Sequence, residues 1–207
     1  MITPSFEQFE HLCGQGNLIP VYREHLADVE TPVSVAARFV RDPRMFLLES
    51  VEGGSRWGRY SFIGLQPQAL FTVDDGEAFL ENADGERRAV GGRASGLTAL
   101  RSVMAETVPV VLPELPRFIG GAVGFMAYET AREFERLPAP KEPLSTPSAC
   151  FMLTDTMIVF DNVRHTMKIV AGARPDRFES PRAAYQDALR RITAIEQRLQ
   201  TPVDLRP

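Results

Sequence analysis

The chain has 207 residues, of which 44% are hydrophobic and 24% are charged, and its formal net charge is −4 at pH 7. These values are typical of a globular protein, and the mild acidic excess gives no electrostatic reason to expect nucleic acid or an anionic membrane as a partner. No apolar run approaches the roughly 20 residues of a membrane span, and the first residues lack the pattern of a secretory signal. Two distant cysteines, Cys13 and Cys150, have no metal-binding spacing and are typical of reduced thiols in a cytoplasmic protein.

In chain order, the first predicted elements are a short helix, an extended strand over residues 17–23 and a second helix. Thr31 and Pro32 suit the N-cap and the first position of that second helix. Pro20 lies inside the strand, where it removes a ladder hydrogen bond, so an edge or bulged strand is expected. An apolar strand over residues 45–48 follows.

The middle of the chain has the pattern of short strands joined by tight turns. Asp-Gly pairs at positions 75–76 and 84–85 suit hairpin connections, because these residue types tolerate a positive φ. Connections this short force antiparallel pairing. The elements expected here are strands over residues 60–65, 69–73, 78–81 and 87–90, and a helix over residues 95–106.

The last third of the chain mixes strands with one long helix. We expect a strand over residues 118–128, a short helix over 129–136, a proline-rich loop over 138–147, and one strand over 150–160 that forms a hairpin with 167–170. The helix begins at Ser180 and Pro181, and its apolar stripe comprises Tyr185, Leu189, Ile192, Ile195 and Leu199. Its solvated face is predicted to carry Arg190, Arg191, Glu196 and Arg198. Together these elements predict an α+β fold with mostly antiparallel, sandwich-like sheets and helices packed outside.

No catalytic pattern is evident from the residues alone. The three histidines (His11, His25 and His165) are far apart and have no metal-ligand spacing. The glycine-rich stretch at positions 120–124 lacks the Lys-Ser/Thr of a phosphate loop and lies in an apolar strand, which favours close backbone packing or a bulge. The acidic positions 129, 133 and 135 favour a charged helix face over a cation site.

One segment, residues 46–64, combines hydrogen-bonding groups with apolar neighbours at a strand end. Glu49 and the Ser50 hydroxyl can accept hydrogen bonds from an ammonium group, and Arg59 can donate to a carboxylate. Such a site suits a small zwitterion with an apolar body. On composition alone, a plain hairpin with a solvated turn is favoured.

The same segment resembles the tryptophan-binding motif of anthranilate synthase large subunits, Leu-Leu-Glu-Ser, which is Leu47 to Ser50 here. Residues 57–64, 118–129 and 17–22 are similar to three further segments of that family, in the same order. The resemblance covers essentially the whole chain. It implies that residues 1–200 are the N-terminal regulatory region of a large subunit, and that residues 201–207 begin a linker to a C-terminal chorismate-binding domain that the chain lacks.

The resemblance also implies a function. The complete enzyme converts chorismate and an amino donor to anthranilate and pyruvate, with magnesium bound in the C-terminal domain and a glutamine amidotransferase subunit as partner. This chain is expected to hold no cofactor, to be inactive alone, and to line part of a feedback L-tryptophan pocket that also takes residues from the C-terminal domain. The implied contacts are Ser50, Glu49 and Leu48, with Arg59, Pro20 and Tyr22 as further candidates.

Two alternatives stay open at this point. The chain is also compatible with the matching half of aminodeoxychorismate synthase, a folate-pathway relative that keeps a similar pocket for structural reasons. A free-standing amino-acid-binding or scaffold module is the alternative from a different class of protein.

Overall fold

The computed structural model describes residues 1–49, 58–92, 95–138 and 146–202. Within them the chain forms four α-helices, namely α1 (Phe6–Leu12), α2 (Pro32–Ala37), α3 (Gly96–Ala105) and α4 (Pro181–Leu199). The strands are β1 (Ile2–Thr3), β2 (Ile19–Leu26), β3 (Phe46–Leu48), β4 (Tyr60–Leu65), β5 (Ala69–Asp74), β6 (Glu77–Asn82), β7 (Arg87–Val90), β8 (Gly121–Met126), β9 (Ala149–Thr154), β10 (Thr156–Asp161) and β11 (Thr166–Ala173). None of the helices in this part of the chain has the length and apolar character needed to span a bilayer.

The strands form two antiparallel sheets, which confirms the predicted α+β class. A six-stranded sheet has the order β1-β2-β11-β10-β4-β3, and a five-stranded sheet has the order β7-β6-β5-β9-β8. The first sheet belongs to a compact unit made of three chain segments, Met1–Gln66, Thr107–Gly120 and Asp155–Pro207. The second belongs to a unit made of two segments, Pro67–Glu106 and Gly121–Thr154. The assignment of residues 1–200 to one regulatory region stays a prediction.

Helix α4 packs on one face of the six-stranded sheet. The Ser180 hydroxyl accepts a hydrogen bond from the amide of Ala183, so the helix begins where the N-cap and N1-proline signals predict. Its buried residues join one core with apolar side chains of α1, α2 and four strands of the sheet. Full burial of each large aliphatic side chain contributes about 1.5–3 kcal/mol, so this stripe fixes the helix to the sheet. The buried α4 residues are Ala184, Tyr185, Ala188, Ile192 and Ile195.

The prediction of a solvated polar face on α4 is wrong for three of its four residues. Glu196 accepts a hydrogen bond from Arg23 at 2.6 Å, and Arg198 forms an ion pair with Asp42 at 2.7 Å. Arg191 binds polar groups of the sheet, and only Arg190 is exposed as expected. The reason is that these side chains flank the apolar stripe, where they meet polar groups of the sheet and of the α2–β3 connection.

The other face of the six-stranded sheet carries a second apolar cluster, the Tyr22 cluster, formed by Tyr22, Leu115, Met157, Val159 and Val170. Residues of the 107–120 segment and of β4 pack against it, with the Phe62 and Phe118 rings edge to face at 5.2 Å. Edge-to-face geometry suits the opposite charges of ring face and ring edge. The 107–120 segment therefore covers part of this face.

The five-stranded sheet is built from local hairpins and carries α3. Asp75 and Gly76 have positive φ values of 47° and 78°, as the Asp-Gly pattern predicts for the β5–β6 turn. The Glu133 carboxylate accepts hydrogen bonds from the amides of Gly96 and Leu97, which are two free donors of the α3 N-terminus. Glu133 is thus a cap for α3 and does not merely belong to a charged helix face.

Two strand predictions need correction. The strand expected over residues 150–160 is two strands, β9 and β10, in different sheets, and the break lies at Asp155. The strand expected from residue 118 begins only at Gly121, whose φ of 136° interrupts the extended backbone.

The expected helix over residues 129–136 is a 3₁₀ helix, Tyr128–Glu133. Of the proline-rich loop, residues 139–145 lie outside the described chain.

Pro20 lies where the sequence predicts an edge. Strand β1 pairs only with Tyr22 and Arg23, so it does not reach Pro20. On its other side β2 pairs with β11, where Pro20 lies opposite Gly172. Among the described strands, Pro20 therefore has a strand neighbour on one side only, which spares a ladder hydrogen bond that proline cannot make.

Candidate functional site

The segment with the tryptophan-motif resemblance lies at an edge of the six-stranded sheet. Of the strands in the described ranges, β3 is the last one of that sheet, and it ends at Leu48. Leu48 is 42% exposed, and Glu49, which follows it, is exposed too. Ser50 lies outside the described residues. The described part of the motif therefore presents an apolar side chain and a carboxylate to the outside of the sheet edge.

Strand register shows which predicted residues share a face. Leu48 lies opposite Phe62, and the same row crosses the sheet to Lys168 and Glu24. Tyr22 is two residues from Glu24, so it points to the same face as Leu48, because side chains alternate along a strand. The two residues are nevertheless separated by four strand spacings, or about 19 Å. A single amino acid bound to Leu48 lies beyond direct contact with Tyr22.

Pro20 and Tyr22 are core residues in this structure. Tyr22 belongs to the buried cluster named after it, and burial raises the pKa of its phenol above the usual value, with the charge of Glu114 adding to the effect. Pro20 is buried beside it on β2. The structure thus brings these two residues together, but not with Leu48 and Glu49. Their role as ligand contacts stays a prediction.

Arg59 is held by a carboxylate at the start of β4. Its Nε donates to both oxygens of Asp161 at 3.1 Å, and its Nη2 donates to Oδ2 at 2.6 Å. Asp161 also accepts from the amides of Val163 and Arg164, so it organises the β10–β11 turn. The guanidinium lies 4.9 Å from the Tyr60 ring centroid. Arg59 therefore has a structural partner, while about a third of its side chain stays exposed.

Stability should fall as the pH falls through the lowered pKa of Asp161. Burial alone raises the pKa of this carboxyl, but hydrogen bonds from Arg59 and from the amides of Arg164 and Val163 outweigh burial and hold it below the ordinary 3.8. A carboxyl with a lower pKa in the folded state contributes stability that is complete above the unfolded pKa and is lost as the pH drops through the folded pKa. Urea unfolding below about pH 5 should therefore show a smaller loss for Asp161→Asn than for wild type.

The matched control for this experiment is Asp84→Asn in an exposed turn, which should keep the wild-type pH profile. Equal pH profiles for Asp161→Asn and wild type would show that the Arg59 contact contributes nothing to stability.

A buried lysine on the same face was not predicted. The Lys168 side chain is almost fully buried, forms an ion pair with Glu24 at 2.5 Å and lies 6.0 Å from the Tyr22 ring centroid. Thr166, two residues earlier on the same face, has a buried hydroxyl with no hydrogen-bond partner among the described residues. The sequence signal for Lys168 was a single charged residue in a strand that is otherwise apolar after Thr166. The sequence could not show that this lysine forms an ion pair, because its partner Glu24 is distant along the chain.

Among the described residues, no group of three or more His, Cys, Asp or Glu side chains is placed to hold a metal ion. What this part of the chain offers is a sheet edge with an exposed leucine and carboxylate, and, further along the same face, an ion pair between the buried Lys168 and the exposed Glu24. An exposed apolar side chain beside a carboxylate can contact a small amphipathic ligand.

Comparison with known proteins finds relatives that share one name, although no protein-family model matches the chain. Anthranilate synthase component 1 of Acinetobacter calcoaceticus is 38% identical over 97% of this chain and 41% of its own length. The proteins of the same name from Acetivibrio thermocellus and Synechocystis are 34% and 37% identical over 96% and 98% of this chain, in each case across 40% of the relative.

A solved structure agrees with these sequence relatives. Anthranilate synthase component I from Streptococcus pneumoniae TIGR4 matches 87% of this chain and 37% of its own, with a TM-score of 0.56 and 20% identity. At this identity the match supports the fold alone. The sequence relatives confirm the resemblance drawn from the motifs, and the chain spans about two fifths of their length. By descent, then, the chain belongs to the anthranilate synthase component I family.

Proposed function

We propose that the chain is the N-terminal, regulatory part of an anthranilate synthase large subunit and that it forms one wall of a feedback pocket for L-tryptophan. The observation that carries the proposal is the similarity to component 1 proteins over nearly the whole chain. In this proposal the chain is inactive alone. Chorismate, magnesium and the contacts to a glutamine amidotransferase subunit belong to the complete enzyme.

The geometry of the β3 edge supports the proposed pocket wall. Leu48 offers apolar surface for an indole ring, and the adjacent Glu49 carboxylate suits an ammonium group. Both side chains are exposed at the end of an edge strand, so a second domain can complete the pocket without unfolding this sheet. Arg59 directly precedes β4, which pairs with β3, and the exposed third of its side chain is a candidate donor for a carboxylate.

Feedback inhibition in this proposal is a coupling between the pocket and a distant chorismate site. Tryptophan inhibits only if it binds the inactive arrangement of the enzyme more tightly than the active one. A pocket wall supplied by one part of the enzyme and completed by another meets that requirement, because a shift between the two parts changes the contacts. The isolated chain should therefore bind tryptophan weakly.

In the complete large subunit, Ser50→Phe should relieve inhibition by tryptophan. The phenyl ring would fill the space proposed for the ligand, so the tryptophan concentration for half-inhibition should rise by about tenfold or more, a loss of at least about 1.4 kcal/mol. Turnover without tryptophan should change little, since the chorismate site is elsewhere. Anthranilate fluorescence measures both quantities. Ser102→Phe, on the exposed side of α3, is the control and should keep wild-type inhibition.

A thermal-shift titration with L-tryptophan tests the proposal directly. Ligand at about 100 times its dissociation constant stabilises a binding protein by roughly 2.7 kcal/mol, and this should raise the melting temperature of the complete subunit. The 207-residue chain should show a smaller shift or none. Absence of a shift in the complete subunit would remove the regulatory function from this segment.

A further inference from the structure

Strand β8 is an edge strand with exposed apolar residues on both of its faces. Among the described strands it is the last one of the five-stranded sheet, next to β9. Phe125 and Met126 are 50% and 52% exposed, and because they are consecutive they point to opposite faces of the sheet. Tyr128 and Phe134, which follow shortly after, are exposed as well. A pair of exposed apolar faces along one edge is the arrangement that an added strand would cover.

The two edges of this sheet differ in their protection. The opposite edge, β7, begins with the exposed residues Arg87 and Arg88, and Arg87 lies over the Phe79 ring at 3.9 Å. Charged side chains on an edge strand oppose pairing with another chain. Strand β8 has the sequence Gly-Ala-Val-Gly-Phe-Met, without a charge or a proline. Its edge is therefore suited to pairing, and the β7 edge is not.

Close packing on β9 keeps the β8 edge in place. A Cβ atom added at Gly124 would lie within van der Waals overlap of the Cys150 carbonyl oxygen and the Phe151 Cα. The glycine thus allows an unusually close approach of the two backbones. Strand β8 is paired along its full length, from Gly121 opposite Thr154 to Met126 opposite Ala149. A strand that pairs with β8 would therefore meet a backbone that β9 already holds in an extended conformation.

We infer that the β8 edge is completed by an extended, apolar strand from the part of the component I polypeptide that this chain does not span. The inference rests on the proposed function. The chain covers only about two fifths of its relatives, so three fifths of such a polypeptide remain to cover exposed surface. The added strand would pair its backbone with β8 and pack apolar side chains on Phe125 and Met126, in the manner of β-strand addition.

Hydrogen–deuterium exchange on two proteins tests the inference. One protein is this 207-residue chain, and the other is the same chain joined to the unmatched part of the Acinetobacter calcoaceticus relative. Amides of β8 that face away from β9 should exchange at least about tenfold more slowly in the chimera than in the chain alone, since pairing protects an amide from solvent. Amides of β7 should exchange equally in both proteins.

A substitution provides the second measurement. Phe125→Glu combined with Met126→Glu should lower the melting temperature of the chimera by several degrees and leave that of the 207-residue chain nearly unchanged. Val163→Glu, at an exposed apolar position in the β10–β11 turn, is the control and should have little effect in either protein.

The possible outcomes separate the inference from the proposed function. Formation of anthranilate from chorismate and ammonia shows whether the chimera acts as the proposed function requires. An active chimera with unprotected β8 amides overturns the inference alone. An inactive chimera with protected β8 amides contradicts the proposed function and supports the inference. Protection that appears in the 207-residue chain as its concentration rises would identify a second copy as the occupant and overturn the inference.

Discussion

Replacing Arg191 with alanine should lower the free energy of unfolding by about 3 kcal/mol, because the side chain joins α4 to two strands at a buried site. Its guanidinium donates to Asp155 at 3.1 Å and to the Thr156 hydroxyl and the Gly172 carbonyl oxygen at 2.7 Å each. Asp155 is only 3% exposed and Thr156 is fully buried. Loss of the cation from such a carboxylate costs about 3–5 kcal/mol, and the lower end applies because the Arg191 side chain is 21% exposed.

The neighbouring arginine is a matched control for this prediction. The Arg190 side chain is 68% exposed and contacts Asp187 within the same helix. Pairs of this kind contribute about 0.5 kcal/mol or less, so Arg190→Ala should be nearly neutral. Urea unfolding followed by circular dichroism measures both variants. Similar small losses for both substitutions would contradict the buried role assigned to Arg191.

A single methyl group at Gly124 should be the most disruptive small substitution in the five-stranded sheet. The Cβ atom of Gly124→Ala would overlap the backbone of Cys150 and Phe151, and backbone atoms cannot turn aside as a flexible side chain can. Strands β8 and β9 must therefore separate locally, and we expect a loss of about 3 kcal/mol, the upper part of the usual range for overpacking. Thermal and urea unfolding measure the loss, and faster amide exchange in β8 would locate it.

Gly14→Ala is the control for the methyl group itself. The Cβ atom at Gly14 would have only the His11 carbonyl oxygen near it, at 3.7 Å, and the backbone there needs no positive φ. The substitution should leave stability unchanged or raise it by up to about 1 kcal/mol, because alanine restricts the unfolded chain. Equal losses at the two glycines would mean that the close approach of β8 and β9 does not limit the choice of residue.

The parts of the fold that depend on neighbouring residues are predictable from the sequence. Strands β4 and β7 have the predicted bounds, and Asp-Gly turns join the hairpins around β6 as expected. Helix α4 begins at its Ser-Pro signal because the cap is a local hydrogen bond. These signals act over a few residues, so no knowledge of distant partners is needed.

The features that depend on distant partners were not predictable. Nothing local marks the passage between sheets at Asp155, because that residue is fixed by Arg191, which lies 36 positions further along. The polar side chains on α4 have the pattern of a solvated face until the strand residues opposite them are known. The family resemblance located the Leu47–Ser50 motif, while residue spacing alone could not show that Tyr22 lies four strands away from Leu48.

The division of the chain into interleaved segments has a consequence for its synthesis. Leu26 of β2 pairs with Thr166 of β11, about 140 residues later, so β2 leaves the ribosome roughly 10 s before its partner at ordinary elongation rates. All five strands of the other sheet, β5 to β9, are made within that interval. The inserted unit can therefore be complete while the ends of its host are still apart. The apolar side chains of β2 are meanwhile exposed to aggregation or to chaperones.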